Sequence, residues 1–350
     1  MKSNNFKDPR LIDTLRKDLK EKDLIKKLKN EFRSIREFYI DTEKNLKLKK
    51  MNRIRRFFFV LWWILKGMFF KLNPLRRVLL FIAFVLMFGS FSYYSDNEVG
   101  SVRIEFSNQL WATAIILFVL LLELKDKLLA HDELNAGRKV QLALQPDSNP
   151  GISSWDVWLF TQPANNVGGD LIDFIKLKNE NYGISLADVA GKGLKAALLA
   201  AKLQTIIHIT MNSDEPLEKR AKKLNQYFYQ ETIRSIFASL IYTELNQDGR
   251  ELKFVNAGHL PPLLVKNGEV IEFEKGGIAV GLTTDADFEC RSLTLDNDDI
   301  LVFYSDGLVE AQNEAGAFYE IERLKKFLRE LKNLNSSEIG KRILLSVENF

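Results

Sequence analysis

An apolar segment near the N-terminus restricts the folds open to this chain more than any other part of its sequence. Three apolar stretches follow one another between residues 57 and 124, and the second, Val78–Tyr94, has 17 residues without a charge. A helix of about 17 to 25 apolar residues crosses the core of a bilayer. Because Val78–Gly89 is apolar on every face, it lacks the single apolar stripe of a helix on a soluble core. We therefore predict a membrane region over 57–124.

The three stretches differ in length and charge. The first, 57–70, is interrupted by Lys66 and directly follows a run of arginines, so we interpret it as a helix in the membrane interface. Trp62 and Trp63 favour the same depth. We predict membrane spans at about 77–94 and about 106–124. A third span over 57–70 is the alternative.

The charge distribution predicts the orientation of these spans. The net charge of +4 hides two unlike parts, because residues 1–56 carry 19 Lys and Arg against 9 Asp and Glu, a net of +10, and the remainder carries 31 against 37, a net of −6. Basic segments next to a span stay in the cytoplasm. With two spans, we predict a multi-pass protein of the cell inner (plasma) membrane with both termini cytoplasmic and Ser95–Asn108 outside.

We predict that the basic segment 1–56 is a helical arm in the cytoplasm. Its helical periodicity suits contact with anionic membrane lipid, and a solvated helix is the competing interpretation. Because it shows neither a nucleic-acid-binding fold nor an aromatic platform, no nucleic acid is predicted as a partner. Residues 125–146 continue the chain as a linker helix, which is either a spacer or a contact for a homodimer.

Residues 147–350 have the pattern of a mixed α and β domain. Seven strand-like runs occur with four helical patterns, a ratio that favours two antiparallel sheets with helices outside over a doubly wound sheet. The predicted strands are Trp155–Thr161, Leu171–Leu177, Tyr182–Ala187, Phe237–Leu245, Leu252–Asn256, Leu263–Val265 and Ile300–Ser305. The predicted helices are Lys195–Ile209, Pro216–Arg234, Ile321–Leu331 and Glu338–Phe350.

Three aspartates border apolar strands next to glycine. Asp170 precedes a strand, and Asp188 and Asp306 each end one. Several carboxylate oxygens that converge on one cleft would suit Mg²⁺ or Mn²⁺. Each Asp-Gly pair, taken singly, is also typical of a turn.

Other chemistry is weakly supported. Gly191-Lys192 lacks the remaining residues of a Walker A loop, and His259 has no nucleophile elbow beside it, so we interpret it as a residue that fixes a turn. Cys290 is the single cysteine, which excludes an internal disulfide and a cysteine-based zinc site, and we interpret it as a strand residue.

Five motifs recur in a recognisable order. They are Ala136-Gly137-Arg138-Lys139-Val140-Gln141 with Leu144-Gln145-Pro146, Val167-Gly168-Gly169-Asp170, Ala187-Asp188-Val189-Ala190-Gly191-Lys192-Gly193, Asn256-Ala257-Gly258-His259, and Tyr304-Ser305-Asp306-Gly307. From about residue 135 to residue 350 the chain resembles the SpoIIE/RsbU branch of the PPM (type-2C-like) metal-dependent serine/threonine phosphatases.

The resemblance implies an α+β fold, a PPM-type β-sandwich flanked by helices, here preceded by a helical membrane region. It implies two divalent metal ions, Mn²⁺ or Mg²⁺, with Asp170, Asp188, Asp306 and the carbonyl of Val189 as ligands, while Asp173 is a weaker candidate. Asp188 and Asp306 are the expected catalytic residues, acting through a water activated by the two metals. The implied partner is a phosphorylated protein, such as an anti-sigma-factor antagonist.

One family element is missing from the sequence. Family members end on an Asp-Asp-x-Thr element whose aspartate supplies a further metal ligand, whereas this chain ends Ser346-Val347-Glu348-Asn349-Phe350. Either the sequence is truncated or the ligand is absent. The second possibility keeps an alternative function open, a catalytically degenerate membrane scaffold that binds a signalling partner without turnover.

Overall fold

The chain divides into two compact units, one up to Lys127 and one from Leu128 to Phe350. A computed structural model describes residues 29, 32, 33, 35, 36, 38–40, 42–49, 51–88, 92–97, 100–105, 108–163, 165–233, 236–331 and 334–350. Most of the predicted basic arm, residues 1–28, lies outside the described residues.

Helices dominate the described part of the N-terminal unit. Its elements are α1 (Thr42–Lys49), α2 (Arg53–Lys71), α3 (Pro74–Phe88), β1 (Ser92–Asn97), β2 (Gly100–Glu105) and α4 (Asn108–Ala143), the last of which continues into the second unit. Strands β1 and β2 pair antiparallel as a hairpin. Arg76 joins α3 to α4, because its guanidinium lies 2.5 Å from Oε1 of Glu123 and 2.5 Å from Oδ2 of Asp126.

The predicted span at 77–94 is not one continuous helix. Helix α3 ends at Phe88 and β1 begins at Ser92; the sequence between them starts with Gly89-Ser90, and both residues have lower helix propensity than the leucines before them. By length and composition, one helix in the described part of the chain could cross a membrane, Leu194–Met211, and 44% of it is buried within the C-terminal unit. The two predicted spans and the interfacial helix at 57–70 therefore stay predictions.

The C-terminal unit contains two antiparallel sheets and the helices that cover them. Its elements are β3 (Asp170–Lys176), β4 (Tyr182–Val189), α5 (Leu194–Met211), α6 (Leu217–Glu231), β5 (Ala238–Leu245), β6 (Glu251–Ala257), β7 (Leu263–Lys266), β8 (Glu269–Glu272), β9 (Cys290–Thr294), β10 (Ile300–Val302), α7 (Asp306–Val309), α8 (Ile321–Glu330) and α9 (Ser336–Glu348). The strand order is β3-β4-β5-β6-β9 in one sheet and β10-β7-β8 in the other.

The alternation of side chains along the strands divides the apolar core into three clusters. On β4, Ala187 and Val189 pack with α5 and α6, while Ile184 faces the other way and shares a cluster with Leu301 of the second sheet. The outer face of the second sheet packs on α8 and α9, where Leu324 and neighbouring residues are buried. The layers are helices, five strands, three strands and helices, which confirms the predicted α+β sandwich.

Several strand predictions need correction. Trp155–Thr161 is not a strand, because its backbone makes irregular hydrogen bonds, as in Leu159 N–H to the Ser148 carbonyl at 2.8 Å. Within it, the rings of Trp158 and Phe160 stack on each other. The strand predicted at Ile300–Ser305 ends at Val302. Strands β8 and β9 were not predicted, because β8 has only four residues with a glutamate at each end and β9 has three polar residues among five, so neither shows an apolar alternation.

Candidate active site

Asp170, Asp188 and Ser239 form a row across three neighbouring strands. Asp170 on β3 lies directly opposite Asp188 on β4, and Asp188 lies directly opposite Ser239 on β5. Directly paired side chains in an antiparallel sheet lie on the same face, with Cβ atoms about 4.5–5.5 Å apart. Because Ala187 and Val189 face the helices, the row faces the space between the two sheets.

Gly169 brings two predicted ligand atoms to one point. A Cβ atom at this position would lie 2.5 Å from the carbonyl oxygen of Val189 and 3.1 Å from Oδ1 of Asp188. A real Cβ does not approach other atoms at the first of these distances, so a side chain at position 169 would displace the Val189 carbonyl. The glycine thus lets an Asp188 oxygen and the Val189 carbonyl oxygen face the same small volume.

Asp306 reaches the row from the other sheet. It begins α7, four residues after the end of β10, and its negative charge acts on both Asp170 and Asp188. Burial, followed by the charges of Asp170 and Asp306, raises the pKa of Asp188 to about 6. Burial and the charge of Asp306 raise the pKa of Asp170 in the same direction. The structure therefore brings together all three predicted carboxylates.

This donor set suits hard divalent cations. Carboxylate and carbonyl oxygens are the ligands that Mg²⁺ and Mn²⁺ prefer. The carboxylates repel one another, and a bound cation would reduce this repulsion. Within the described residues, no three His, Cys, Asp or Glu side chains form a cation cage by themselves. Mg²⁺ does not require one, since it keeps several waters and is held through one or two carboxylates.

Asp173 belongs to a different environment. It is 3% exposed and faces α5, where its Oδ2 lies 2.6 Å from Nε2 of His208 and its Oδ1 accepts a hydrogen bond from Gln204 at 2.8 Å. It therefore lies outside the cleft, for which the sequence made it a weaker candidate ligand. Its position in the strand, three residues after Asp170, places it on the opposite face of β3.

His259 makes contacts that sequence reasoning missed. The backbone N–H of His259 donates to Oδ1 of Asn256 at 2.8 Å, which agrees with a role in fixing the turn. The ring makes two more contacts, because Nδ1 lies 2.7 Å from Oγ of Ser239 and Nε2 lies 3.1 Å from the carbonyl oxygen of Tyr304. Burial lowers the pKa of His259, which keeps the ring neutral at pH 7. The signal available in the sequence was the Asn-Ala-Gly-His motif itself.

Gln141 makes a second set of contacts that could not be predicted from the sequence, with the backbone of Gly168. Its side-chain amide donates to the carbonyl of Gly168 at 2.8 Å, and its carbonyl accepts from the Gly168 N–H at 3.2 Å. Gln141 lies in α4, so this helix holds the backbone directly before the row of carboxylates.

Cys290 begins β9, which confirms its interpretation as a strand residue. Burial raises the pKa of its thiol, so the group stays protonated at neutral pH.

Comparison with known proteins agrees with this arrangement. Residues 178–350 match the family described as Stage II sporulation protein E (SpoIIE). The C-terminal part of this chain is therefore similar to SpoIIE, and the match covers just under half of the chain. The fold agrees too, because the structure of the SiaA-PP2C domain of Pseudomonas aeruginosa superposes with a TM-score of 0.55 at 20% identity, covering 64% of this chain and 92% of that one.

Two curated relatives of this chain are phosphoserine phosphatases of Bacillus subtilis (strain 168). The chain is 28% identical to phosphoserine phosphatase RsbU over 223 residues, which are 62% of this chain and 66% of RsbU. It is 24% identical to phosphoserine phosphatase RsbP over 192 residues, which are 53% of this chain and 47% of RsbP. The chain thus spans just under two thirds of one relative and about half of the other.

Proposed function

We propose that this protein is a metal-dependent phosphatase that hydrolyses phosphoserine or phosphothreonine on a partner protein. The observation that carries the proposal is the convergence of Asp170, Asp188 and Asp306 on one end of the sandwich, in a chain whose residues 178–350 match SpoIIE. The names of RsbU and RsbP support phosphoserine as the substrate group. A phosphorylated anti-sigma-factor antagonist is the partner that the family resemblance suggests.

The roles of the residues follow from their positions. Asp188, one oxygen of which faces the same volume as the Val189 carbonyl, would be the central ligand of the cations, and Asp170 and Asp306 would supply the other two carboxylates. When bound, two Mn²⁺ or Mg²⁺ ions supply an acidified water and neutralise the phosphoryl oxygens. The carboxylates position the reacting groups between the sheets. Because Gly169 has no side chain, the volume next to the Asp188 carboxylate stays free.

Phosphate release from a phosphoserine peptide tests the proposal directly. The full chain is assayed in detergent with Mn²⁺, and we expect Asp188→Asn and Asp306→Asn to lower the rate by at least about a hundredfold, because each removes a charge that holds the cations. Asp173→Asn is the matched control, since this buried carboxylate faces α5 and should leave the rate close to that of the wild type. Wild-type rates in Asp188→Asn or Asp306→Asn would exclude the proposed site.

We further propose that residues 57–124 anchor the protein in the inner membrane. Large apolar side chains stay exposed on three helices of the N-terminal unit, and soluble monomers rarely expose apolar patches of this extent. These side chains include Phe57, Phe58, Trp62, Phe81, Phe84, Phe88, Leu117, Phe118, Leu120 and Leu121. The Arg76 pairs with Glu123 and Asp126 place charged groups near the start of α3 and, in α4, where its apolar stretch ends, which suits a membrane surface. Extraction of membranes with alkaline carbonate should leave the protein in the pellet.

A scaffold without turnover is the second candidate. The observation that favours it is that the described carboxylates do not by themselves enclose a cation. Calorimetric titration of the full chain with Mn²⁺ separates the two functions. Binding supports the phosphatase, and absence of heat at all Mn²⁺ concentrations supports the scaffold. Dimerisation through α4 stays a prediction, tested by the mass of the detergent-solubilised protein in light scattering.

A further inference from the structure

His259 joins the two sheets of the sandwich at the end that carries the carboxylates. It lies in the connection between β6 of the first sheet and β7 of the second. One ring nitrogen contacts Ser239 on β5, and the other contacts the carbonyl of Tyr304, which follows β10. The ring is 7% exposed, so water does not compete freely for these two hydrogen bonds.

Each end of this bridge is next to a predicted ligand. Ser239 is the cross-strand partner of Asp188, and Tyr304 precedes Asp306 by two residues. Asp188 lies in the first sheet and Asp306 begins the helix that follows β10 of the second, so their separation depends on how the two sheets are held at this end. The bridge through His259 is a short route between the two segments.

The backbone around His259 is rigid, which makes the ring a well-defined spacer. The Asn256 side chain accepts from the His259 N–H and donates to the His259 carbonyl, at 2.8 and 3.2 Å. Gly258 has φ of 73°, and a Cβ there would lie 2.8 Å from the backbone nitrogen of Ala279. Both observations restrict the turn to one conformation.

The partners determine the state of the ring. A carbonyl oxygen can only accept, so Nε2 carries the hydrogen that is donated to Tyr304. A neutral ring then has a lone pair on Nδ1, which accepts a hydrogen bond from the Ser239 hydroxyl. Both ring nitrogens are thus used in fixed directions.

We propose that His259 is a positioning residue that sets the distance of Asp306 from Asp188 and thereby the affinity of the cleft for divalent cations. The inference rests on the proposed function, because it treats the two aspartates as ligands of the same centre. His259 acts through Ser239 and the Tyr304 backbone and contacts no reacting atom. Its loss weakens cation binding, and excess cation restores the rate.

Two substitutions separate the two hydrogen bonds. In His259→Gln the side-chain nitrogen can occupy the place of Nε2 and donate to Tyr304, whereas in His259→Asn the side-chain oxygen can replace Nδ1 but nothing reaches Tyr304. Removal of a residue that orients a metal ligand typically costs between about tenfold and a hundredfold in metal affinity. We expect each substitution to raise the Kd for Mn²⁺ by about tenfold, because His259→Asn loses the contact with Tyr304 and His259→Gln loses the contact with Ser239.

The experiment measures Mn²⁺ binding by calorimetry and the rate of phosphopeptide hydrolysis as a function of Mn²⁺ concentration, on the full chain in detergent. A raised half-saturating Mn²⁺ concentration with a nearly normal rate at saturation supports positioning, because a general loss of folding would lower the saturated rate instead. Equal Mn²⁺ affinity in wild type and a folded His259→Asn overturns the inference and leaves the proposed function intact.

Two further outcomes are distinguishable. If His259→Asn does not fold, Ser239→Ala decides, because it removes the Nδ1 partner with a smaller change of volume. A raised half-saturating Mn²⁺ concentration in Ser239→Ala supports the bridge, and an unchanged one overturns it. If wild-type protein neither binds Mn²⁺ nor releases phosphate, the proposed function itself is wrong, and the inference falls with it.

Discussion

Arg220 and Glu244 form an ion pair inside the C-terminal unit, with side chains that are 7% and 9% exposed. Burial raises the pKa of Glu244, but hydrogen bonds from Asn181 and Arg220 outweigh it, so the pKa lies below its ordinary value. Arg220 also donates to the carbonyl of Met211 at 2.7 Å. The pair therefore stays ionised and joins α6 to β5 across the core.

Replacement of Arg220 by methionine should lower the free energy of unfolding by about 3–5 kcal/mol at neutral pH, because it leaves the Glu244 charge buried without a partner. Because the pKa of Glu244 is lower in the folded state, this contribution is present above the unfolded pKa and is lost as the pH falls through the folded pKa. Denaturant titrations at several pH values should show the difference between wild type and variant shrinking on acidification.

The matched control is the double variant Arg220→Met, Glu244→Leu, in which no buried charge remains. It should be more stable than Arg220→Met, since replacing a whole buried ion pair by apolar residues is often neutral. An Arg220→Met variant as stable as the wild type would show that water reaches Glu244 and that the pair contributes little.

Helix α4 contacts the segment before the carboxylate row through the side chain of Gln141. Gln141 makes two hydrogen bonds with the backbone of Gly168, and the next residue, Gly169, lies against Asp188 and the Val189 carbonyl. A shift of α4 would therefore be transmitted to the segment that enters β3.

We expect Gln141→Ala to lower the rate of phosphoserine hydrolysis by up to about a hundredfold, because a displacement of about 1 Å at a reacting centre can have that effect. Lys139→Ala is the matched control, since Lys139 is exposed on the same helix. Rates are compared at saturating Mn²⁺. An unchanged rate in Gln141→Ala would show that the segment before β3 holds its position without α4.

At the scale of the whole molecule, orientation in the membrane is the main prediction. With Cys290→Ser as background, single cysteines are introduced as Ser101→Cys in the hairpin and Thr42→Cys in α1. A membrane-impermeant maleimide should label Ser101→Cys in intact cells and Thr42→Cys after lysis, because the two-span arrangement places the basic side in the cytoplasm. Labelling of Thr42→Cys in intact cells, or protection of Ser101→Cys, contradicts that arrangement.

Some site residues could be predicted because the residues next to them in the sequence indicate which face of the sheet they occupy. Asp188 ends an alternating strand, so its neighbours Ala187 and Val189 indicate which side of the sheet it occupies. Asp173 could not be placed in this way, because its strand is buried on both faces and the partner that decides its role, His208, comes 35 residues later. Local pattern carries no information about such distant partners.

The α+β class, most of the strands and helices, and the acidic residues at or near strand ends follow from the sequence, because alternation and periodicity are local properties of the chain. The contacts that join separate elements were decided by the tertiary structure. His259 lies 20 residues from Ser239 and 45 residues from Tyr304, and Gln141 lies 27 residues from Gly168. Each contact depends on the packing of one layer against another, and a short segment of sequence gives no information about that packing.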